Sequence, residues 1–167
     1  MQTNKWTSAA MSGLLLALVT VATMAIQTVI TPSGPIGLII TVVKLVVNIW
    51  LVYYFIKEFS KSFEVFTYGN GFSYGTIVCL FSSFICVAAQ LLILTIISPE
   101  TFEAQIEVMI NAFSQSRPEA ADTLIRMQES GALLTIVVAV SFIYYFVFGV
   151  IESSIVANFT KKGNIIF

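Results

Sequence analysis

A lysine lies well inside an apolar run that is long enough to cross a lipid bilayer. The run reads GPIGLIITVVKLVVNIWLVYYFIK over residues 34–57, and its interior lysine is Lys44. About twenty apolar residues, at a rise of about 1.5 Å each, span the hydrocarbon of a membrane. A charge is costly there, so Lys44 requires a partner, a water-filled cavity or a functional role. The other apolar segments must therefore pack around this run in a way that accommodates the charge of Lys44.

The composition is that of a membrane protein and argues against several kinds of chemistry. Of the 167 residues, 57% are hydrophobic and 10% are charged, whereas soluble domains carry about 25% charged residues. The chain has no basic run, so we expect no nucleic-acid partner. It has no histidine, which is the usual general base and the commonest metal ligand. Cys79 and Cys86 lie about 10 Å apart along one helix, too far for a mutual disulfide. We expect small core-facing or lipid-facing thiols, no metal and no cofactor.

Four apolar segments predict an all-α membrane protein with four transmembrane helices. The spans cover about residues 8–31, 35–57, 74–98 and 131–158 of a single membrane domain, residues 1–167. The TPSGP sequence at residues 31–35 predicts a tight turn between the first two spans, and Gly69-Asn70-Gly71 predicts another before the third. The only substantial extramembrane piece is residues 99–130.

That extramembrane piece predicts an amphipathic helical hairpin between helices three and four, on the outer face. Pro99 suits the first position of a helix, and Arg117-Pro118 interrupts the pattern. One helix face is apolar and forms a candidate docking face, made of Phe102, Ile106, Met109, Ile110 and Phe113. Two interpretations are open: the hairpin caps the transmembrane helices, or it binds a partner protein.

Basic residues are distributed unevenly between the two sides of the membrane. One side carries Lys5, Lys57, Lys61, Lys161 and Lys162, and the other carries Arg117 and Arg126 with six acidic residues. Positive charge favours the cytoplasmic side. We therefore predict cytoplasmic termini and a periplasmic segment at residues 99–130.

Neutral polar side chains are expected near the depth of Lys44. Counting about 1.5 Å per residue from the outer end, Lys44 lies about 12 Å down. Side chains of the other helices at about this depth complete a candidate polar site, made of Lys44, Gln90, Thr23, Gln27 and Ser141. Three interpretations are open for the lysine: snorkelling toward the outer headgroups, an outward-facing polar cavity, or pairing with another subunit.

The acidic residues offer two further hypotheses about charge pairing. Glu152 lies about 30 Å from the outer end of the fourth helix by the same count, so a direct pair with Lys44 is not expected. We interpret Glu152 as an interfacial acid paired with a lysine such as Lys57. Glu100 and Glu103, at the start of the hairpin, could instead supply a counter-charge for Lys44.

The order of the segments resembles a known family. A second span ending in YYFIKEFSKS is followed by YGNGFSYGTIVCLFSSFICVAAQLL, by the acidic SPETFEAQIEVMINAF and by a last span ending in a lysine pair. The turn from Gly69 to Gly75 is its most specific piece. This pattern resembles the four-span inner-membrane proteins of Bacteroidota grouped as domain-of-unknown-function family 4199. The resemblance implies the fold and a bacterial inner membrane, and no activity.

Two functional hypotheses follow, and neither is catalytic. The first is association within the lipid bilayer, as an accessory subunit or a homo-oligomer, through small-residue faces and the hairpin. The alternative is a small transporter, channel or lipid-binding protein with an outward-facing polar site at Lys44. An enzyme is not expected, since the apolar segments bring no convergent acid, base and nucleophile together.

Overall fold

The computed structural model describes residues 4–30 and 34–162 and contains six α-helices in that part of the chain. Their bounds are α1 Lys5–Ile30, α2 Gly34–Ser60, α3 Tyr68–Leu92, α4 Pro99–Ser116, α5 Pro118–Glu129 and α6 Ala132–Phe159. A π-helical turn, Ile93–Ile97, continues α3. The described residues form no strand beyond one isolated bridge between Phe66 and Lys162. The predicted all-α class is confirmed.

Four of these helices are long and apolar enough to cross a membrane, namely α1, α2, α3 with its π-helical turn, and α6. The predicted number and order of the spans are therefore confirmed. The turn predicted at residues 31–35 falls largely on residues 31–33, outside the described residues. Its last two residues, Gly34 and Pro35, already belong to α2, where proline suits the first turn of a helix.

The chain divides into two compact units. The first contains α1, α2, α3 up to Cys86 and α6 from Tyr144, and the second consists of residues 87–143. Large aliphatic and aromatic side chains of α2 and α3, including Val52, Ile56 and Val78, form the core of the first unit.

Small residues let the helices of the first unit approach closely. A Cβ atom added at Gly75 would lie 2.8 Å from Ile56 and from the Ser153 hydroxyl, and one added at Gly149 would lie 2.5 Å from the Cβ of Cys79. In membranes such close approach replaces the hydrophobic effect as the source of helix association. The two cysteines are buried and free, which confirms the expectation that they are core thiols without a mutual disulfide.

The third helix begins six residues earlier than the sequence predicts. Gly69-Asn70-Gly71 is not a turn but part of the first turn of α3. The Thr67 side chain accepts a hydrogen bond from the Asn70 amide at 3.3 Å, as a helix-capping side chain does. A Cβ at Gly71 would lie 3.2 Å from the Phe66 ring, so this glycine serves packing rather than turning.

A buried tyrosine joins α1, α2 and α3 near the start of α3. Tyr74 is 1% exposed, and its ring stacks on Phe59 with centroids 4.0 Å apart. Its hydroxyl shares hydrogen bonds with the hydroxyls of Ser8 at 2.9 Å and Ser12 at 3.1 Å. The aromatic contact and the polar contacts together fix the rotation of α1 relative to α3.

The second unit contains the predicted helical hairpin. Helices α4 and α5 pack against each other, and each begins with a proline. Gly131 has a φ angle of 71° between α5 and α6, a conformation that glycine adopts readily after a helix end.

Candidate functional site

Lys44 lies on the wall of a cavity within the first unit. The cavity has a volume of about 230 Å³, and we call it the Lys44 cavity. It is lined by Thr20, Thr41, Val42, Lys44, Leu45, Asn48, Tyr144, Tyr145 and Phe148. Polar groups thus occupy one part of the wall, and aliphatic and aromatic side chains occupy the rest. Lys44 makes no ion pair within residues 4–30 and 34–162. A counter-charge from Glu100 or Glu103 stays a prediction.

Glu152 lies on the wall of a second, smaller cavity in the same unit. This Glu152 cavity measures about 50 Å³, which is room for one or two water molecules. Its lining includes the polar residues Thr20, Asn48, Ser82, Ser83, Tyr145 and Glu152, with the two cysteines beside them. Glu152 is 8% exposed, and its Oε1 atom has no hydrogen-bond partner among the described residues. An unpaired buried carboxyl oxygen is expensive and indicates a missing partner.

One wall separates the two cavities and belongs to both. Thr20, Asn48, Tyr145 and Phe148 line the Lys44 cavity and the Glu152 cavity alike. The Asn48 amide nitrogen donates to the Thr20 hydroxyl at 3.4 Å, and the Asn48 amide oxygen has no partner in the described part of the chain. The two ionisable groups therefore belong to one polar region of the first unit.

The five residues of the predicted polar site do not all line the two cavities. On α1 the residue that faces the cavities is Thr20 rather than Thr23, whose hydroxyl donates to the Val19 carbonyl at 2.7 Å. Gln27 is half-buried and lines neither cavity. Gln90 and Ser141 do meet, since the Gln90 amide donates to the Ser141 hydroxyl at 3.1 Å, but that contact lies in the second unit. The joint site of all five predicted residues stays a prediction.

Asn48 was not among the residues expected at the polar site, although its distance of four residues from Lys44 indicated that it shares the same helix face. Residues four apart lie on the same helix face, and Asn48 follows Lys44 by four positions. A polar residue one turn from an intramembrane charge is itself costly in lipid. This spacing could have placed Asn48 in the site.

Among the described residues, Glu152 is not paired with the lysine that we expected. Its position at the membrane interface stays a prediction. It is buried among α1, α2 and α3 residues, and no lysine lies within ion-pair distance of it in the described residues. Lys57, its expected partner, instead places its ammonium 5.3 Å from the ring centre of Tyr53.

The candidate docking face is partly used within the second unit. Ile106 is 4% exposed, while Phe102, Ile110 and Phe113 are half-buried and Met109 remains exposed. Helix α5 packs against α4 and also buries a residue, Ala121. Most of the apolar face therefore contributes to the hairpin itself.

A comparison with protein families identifies a relationship over nearly the whole chain. The family model described as "Protein of unknown function (DUF4199)" matches residues 7–162. No curated protein and no solved structure matches the chain.

Proposed function

We propose that this chain, which belongs to the DUF4199 family, is a non-enzymatic membrane protein that binds an anionic amphiphile in the Lys44 cavity. The observation that carries the proposal is that Lys44 lies on the wall of a cavity of about 230 Å³ and makes no ion pair with any described residue. A cation in that position attracts a negatively charged group, and Thr20 and Asn48 offer hydrogen bonds beside it.

The remainder of the cavity wall favours a ligand with an apolar body. Val42, Leu45 and Phe148 line it next to Lys44. Val42 and Tyr144 are 49% and 63% exposed on the molecular surface. Since α2 and α6 are suited to crossing a membrane, these exposed residues would face acyl chains. A ligand could then enter sideways from the bilayer, with its anionic headgroup at Lys44 and its tail along the helices.

The proposed orientation puts the termini in the cytoplasm of a bacterium and residues 99–130 in the periplasm. Its support is the excess of basic residues on the terminal side, where five lysines stand against two arginines on the other side. Under this orientation Lys44 lies in the outer leaflet of the inner membrane. Cysteines introduced at Gln105 and Ala120 should react with a membrane-impermeant maleimide in intact cells. Labelling of these two positions only after the cells are lysed would reverse the orientation.

The ligand proposal is tested by comparing two lysines of the same helix. Lys44→Met removes the positive charge at the Lys44 cavity. Lys57→Met is the control, because it removes a positive charge from the end of α2, where Lys57 contacts Tyr53. Binding of phosphatidylglycerol to the purified protein in detergent is measured by native mass spectrometry, with phosphatidylcholine and inorganic phosphate as comparison ligands. A lost charge-assisted hydrogen bond costs about 1.5–3 kcal/mol, so Lys44→Met should weaken phosphatidylglycerol binding by about tenfold to a hundredfold.

Three outcomes distinguish a specific amphiphile site from a general electrostatic attraction and from a site for a small soluble anion. Loss of phosphatidylglycerol binding in Lys44→Met but not in Lys57→Met supports the proposal. Equal losses in both variants would indicate a general electrostatic attraction and would overturn it. Binding of inorganic phosphate with the same dependence on Lys44 would replace the amphiphile by a small soluble anion.

Association, as an accessory subunit or homo-oligomer, is the second candidate function. The observation that favours it is the exposure of apolar residues on the hairpin, with Val108 68% and Met109 48% exposed. Crosslinking in native membranes, followed by mass determination, tests it. Val108→Lys with Met109→Lys should abolish a crosslinked oligomer, and an exclusively monomeric protein would exclude a homo-oligomer.

A further inference from the structure

Two side chains on the wall of the Glu152 cavity contribute acceptor oxygens to the site. The Oε1 atom of Glu152 and the Oδ1 atom of Asn48 have no partner among the described residues. The Asn48 amide nitrogen donates one of its two hydrogens to the Thr20 hydroxyl. The two residues that carry these oxygens line a space of about 50 Å³.

The hydroxyl groups of the same wall can add oxygen lone pairs to these acceptors. The Ser83 hydroxyl donates its hydrogen to the Cys79 carbonyl at 2.7 Å, so only its lone pairs remain for the cavity. The Thr20 oxygen accepts from Asn48, and the Ser82 hydroxyl lies 3.9 Å from the Cys86 sulfur. A carboxylate, an amide oxygen and three hydroxyl oxygens are therefore brought together from α1, α2, α3 and α6.

Oxygen-rich sites of this kind are suited to hard cations. The space admits about one or two atoms of the size of a water oxygen, so an ion with at most one attached water would fit. A divalent ion is not favoured, because Glu152 is the only carboxylate that the described residues place on the wall. From the burial of Glu152, its free oxygen and the surrounding acceptors, we propose that the Glu152 cavity binds a single monovalent cation, Na⁺.

Lys44 determines how tightly that cation is held. It does not line the Glu152 cavity, but it lines the neighbouring Lys44 cavity, which shares the wall at Thr20 and Asn48. A positive charge there repels a second cation. Neutralising Lys44 therefore strengthens Na⁺ binding, whereas the same substitution removes the anion site proposed above. The two proposals can be distinguished, since one variant moves sodium binding and anion binding in opposite directions.

Equilibrium binding of radioactive sodium to the purified full chain in detergent tests the proposal. Choline chloride keeps the ionic strength constant, and Glu58→Gln serves as the matched control, because Glu58 is exposed and paired with Lys61. We expect saturable binding of one sodium per chain in the wild type and in Glu58→Gln. Glu152→Gln should weaken it at least tenfold, and Lys44→Met should bind several times more tightly.

A second variant keeps the proposal testable if Glu152→Gln does not fold. Asn48→Ala removes the other free oxygen and leaves the carboxylate, and it should weaken sodium binding by several fold. Absence of saturable sodium binding in the wild type would overturn the proposal. So would unchanged binding in a folded Glu152→Gln variant, because the carboxylate would then have no part in holding the ion.

Discussion

The close contact between α3 and α6 predicts that a single methyl group added at Gly149 destabilises the protein. A Cβ atom at Gly149 would lie 2.5 Å from the Cβ of Cys79 and 2.9 Å from its sulfur, whereas carbon atoms in contact are about 3.5–4.0 Å apart. The Cys79 Cβ is fixed to the backbone, so a change of rotamer does not remove the clash. Gly149→Ala must therefore push the two helices apart by about 1 Å.

The expected loss of stability follows from two opposing terms. Overpacking of a filled core costs about 1–3 kcal/mol, and a clash with a backbone-fixed atom belongs to the upper half of that range. Alanine gains up to about 1 kcal/mol over glycine in a helix interior. We expect Gly149→Ala to lower the free energy of unfolding by about 1–2 kcal/mol.

Reversible unfolding by SDS in mixed micelles, followed by far-UV circular dichroism, measures this difference. Gly69→Ala is the control, because a Cβ there would have the Thr67 hydroxyl as its nearest neighbour at 3.9 Å. It should leave stability unchanged or slightly increased. Adding Cys79→Gly to Gly149→Ala removes the colliding atom, so the double-mutant cycle should give a favourable coupling of about 1–2 kcal/mol. A neutral Gly149→Ala, or a cycle without coupling, would refute the proposed close packing.

Three further predictions concern other contacts of the first unit. Tyr74→Phe removes the hydroxyl shared with two α1 serines and should cost about 1–2 kcal/mol in the same SDS titration. Tyr144→Phe, at a 63% exposed tyrosine, should cost nothing measurable. The hydrogen bond from Lys61 to Glu58 raises the pKa of Lys61 above 10.5, so the small stabilisation from this exposed pair is lost as pH rises through that raised pKa. Glu58→Gln should return the Lys61 pKa to its ordinary value in an NMR titration. It should cause no measurable change in stability at pH 7, because an exposed ion pair contributes little. An unchanged Lys61 pKa would contradict the ion pair. Both cysteines are buried and should react with a maleimide only after unfolding, so rapid labelling of the folded protein would contradict their burial.

Local sequence patterns were sufficient to identify the four apolar helices and the hairpin. A run of more than twenty apolar residues has few alternatives to a membrane-crossing helix, and prolines mark the starts of α4 and α5. The same local patterns predict a start of α3 that lies six residues after the observed one. The glycines before it resemble a turn, and only the packing of Gly71 against Phe66 accounts for their helical conformation.

The composition of the candidate site was decided by tertiary structure. Lys44 could be selected from the sequence alone, since a charge in an apolar run is conspicuous. Its neighbours could not, because helices that are apolar on nearly all sides contain no amphipathic pattern from which their rotation can be read. That rotation turns Thr20 rather than Thr23 toward the cavities and buries Glu152. It is set by close contacts such as those of Gly75 and Gly149, which join residues far apart in the chain. Length and apolarity thus determined which segments become helices, and side-chain packing between them determined which polar groups meet.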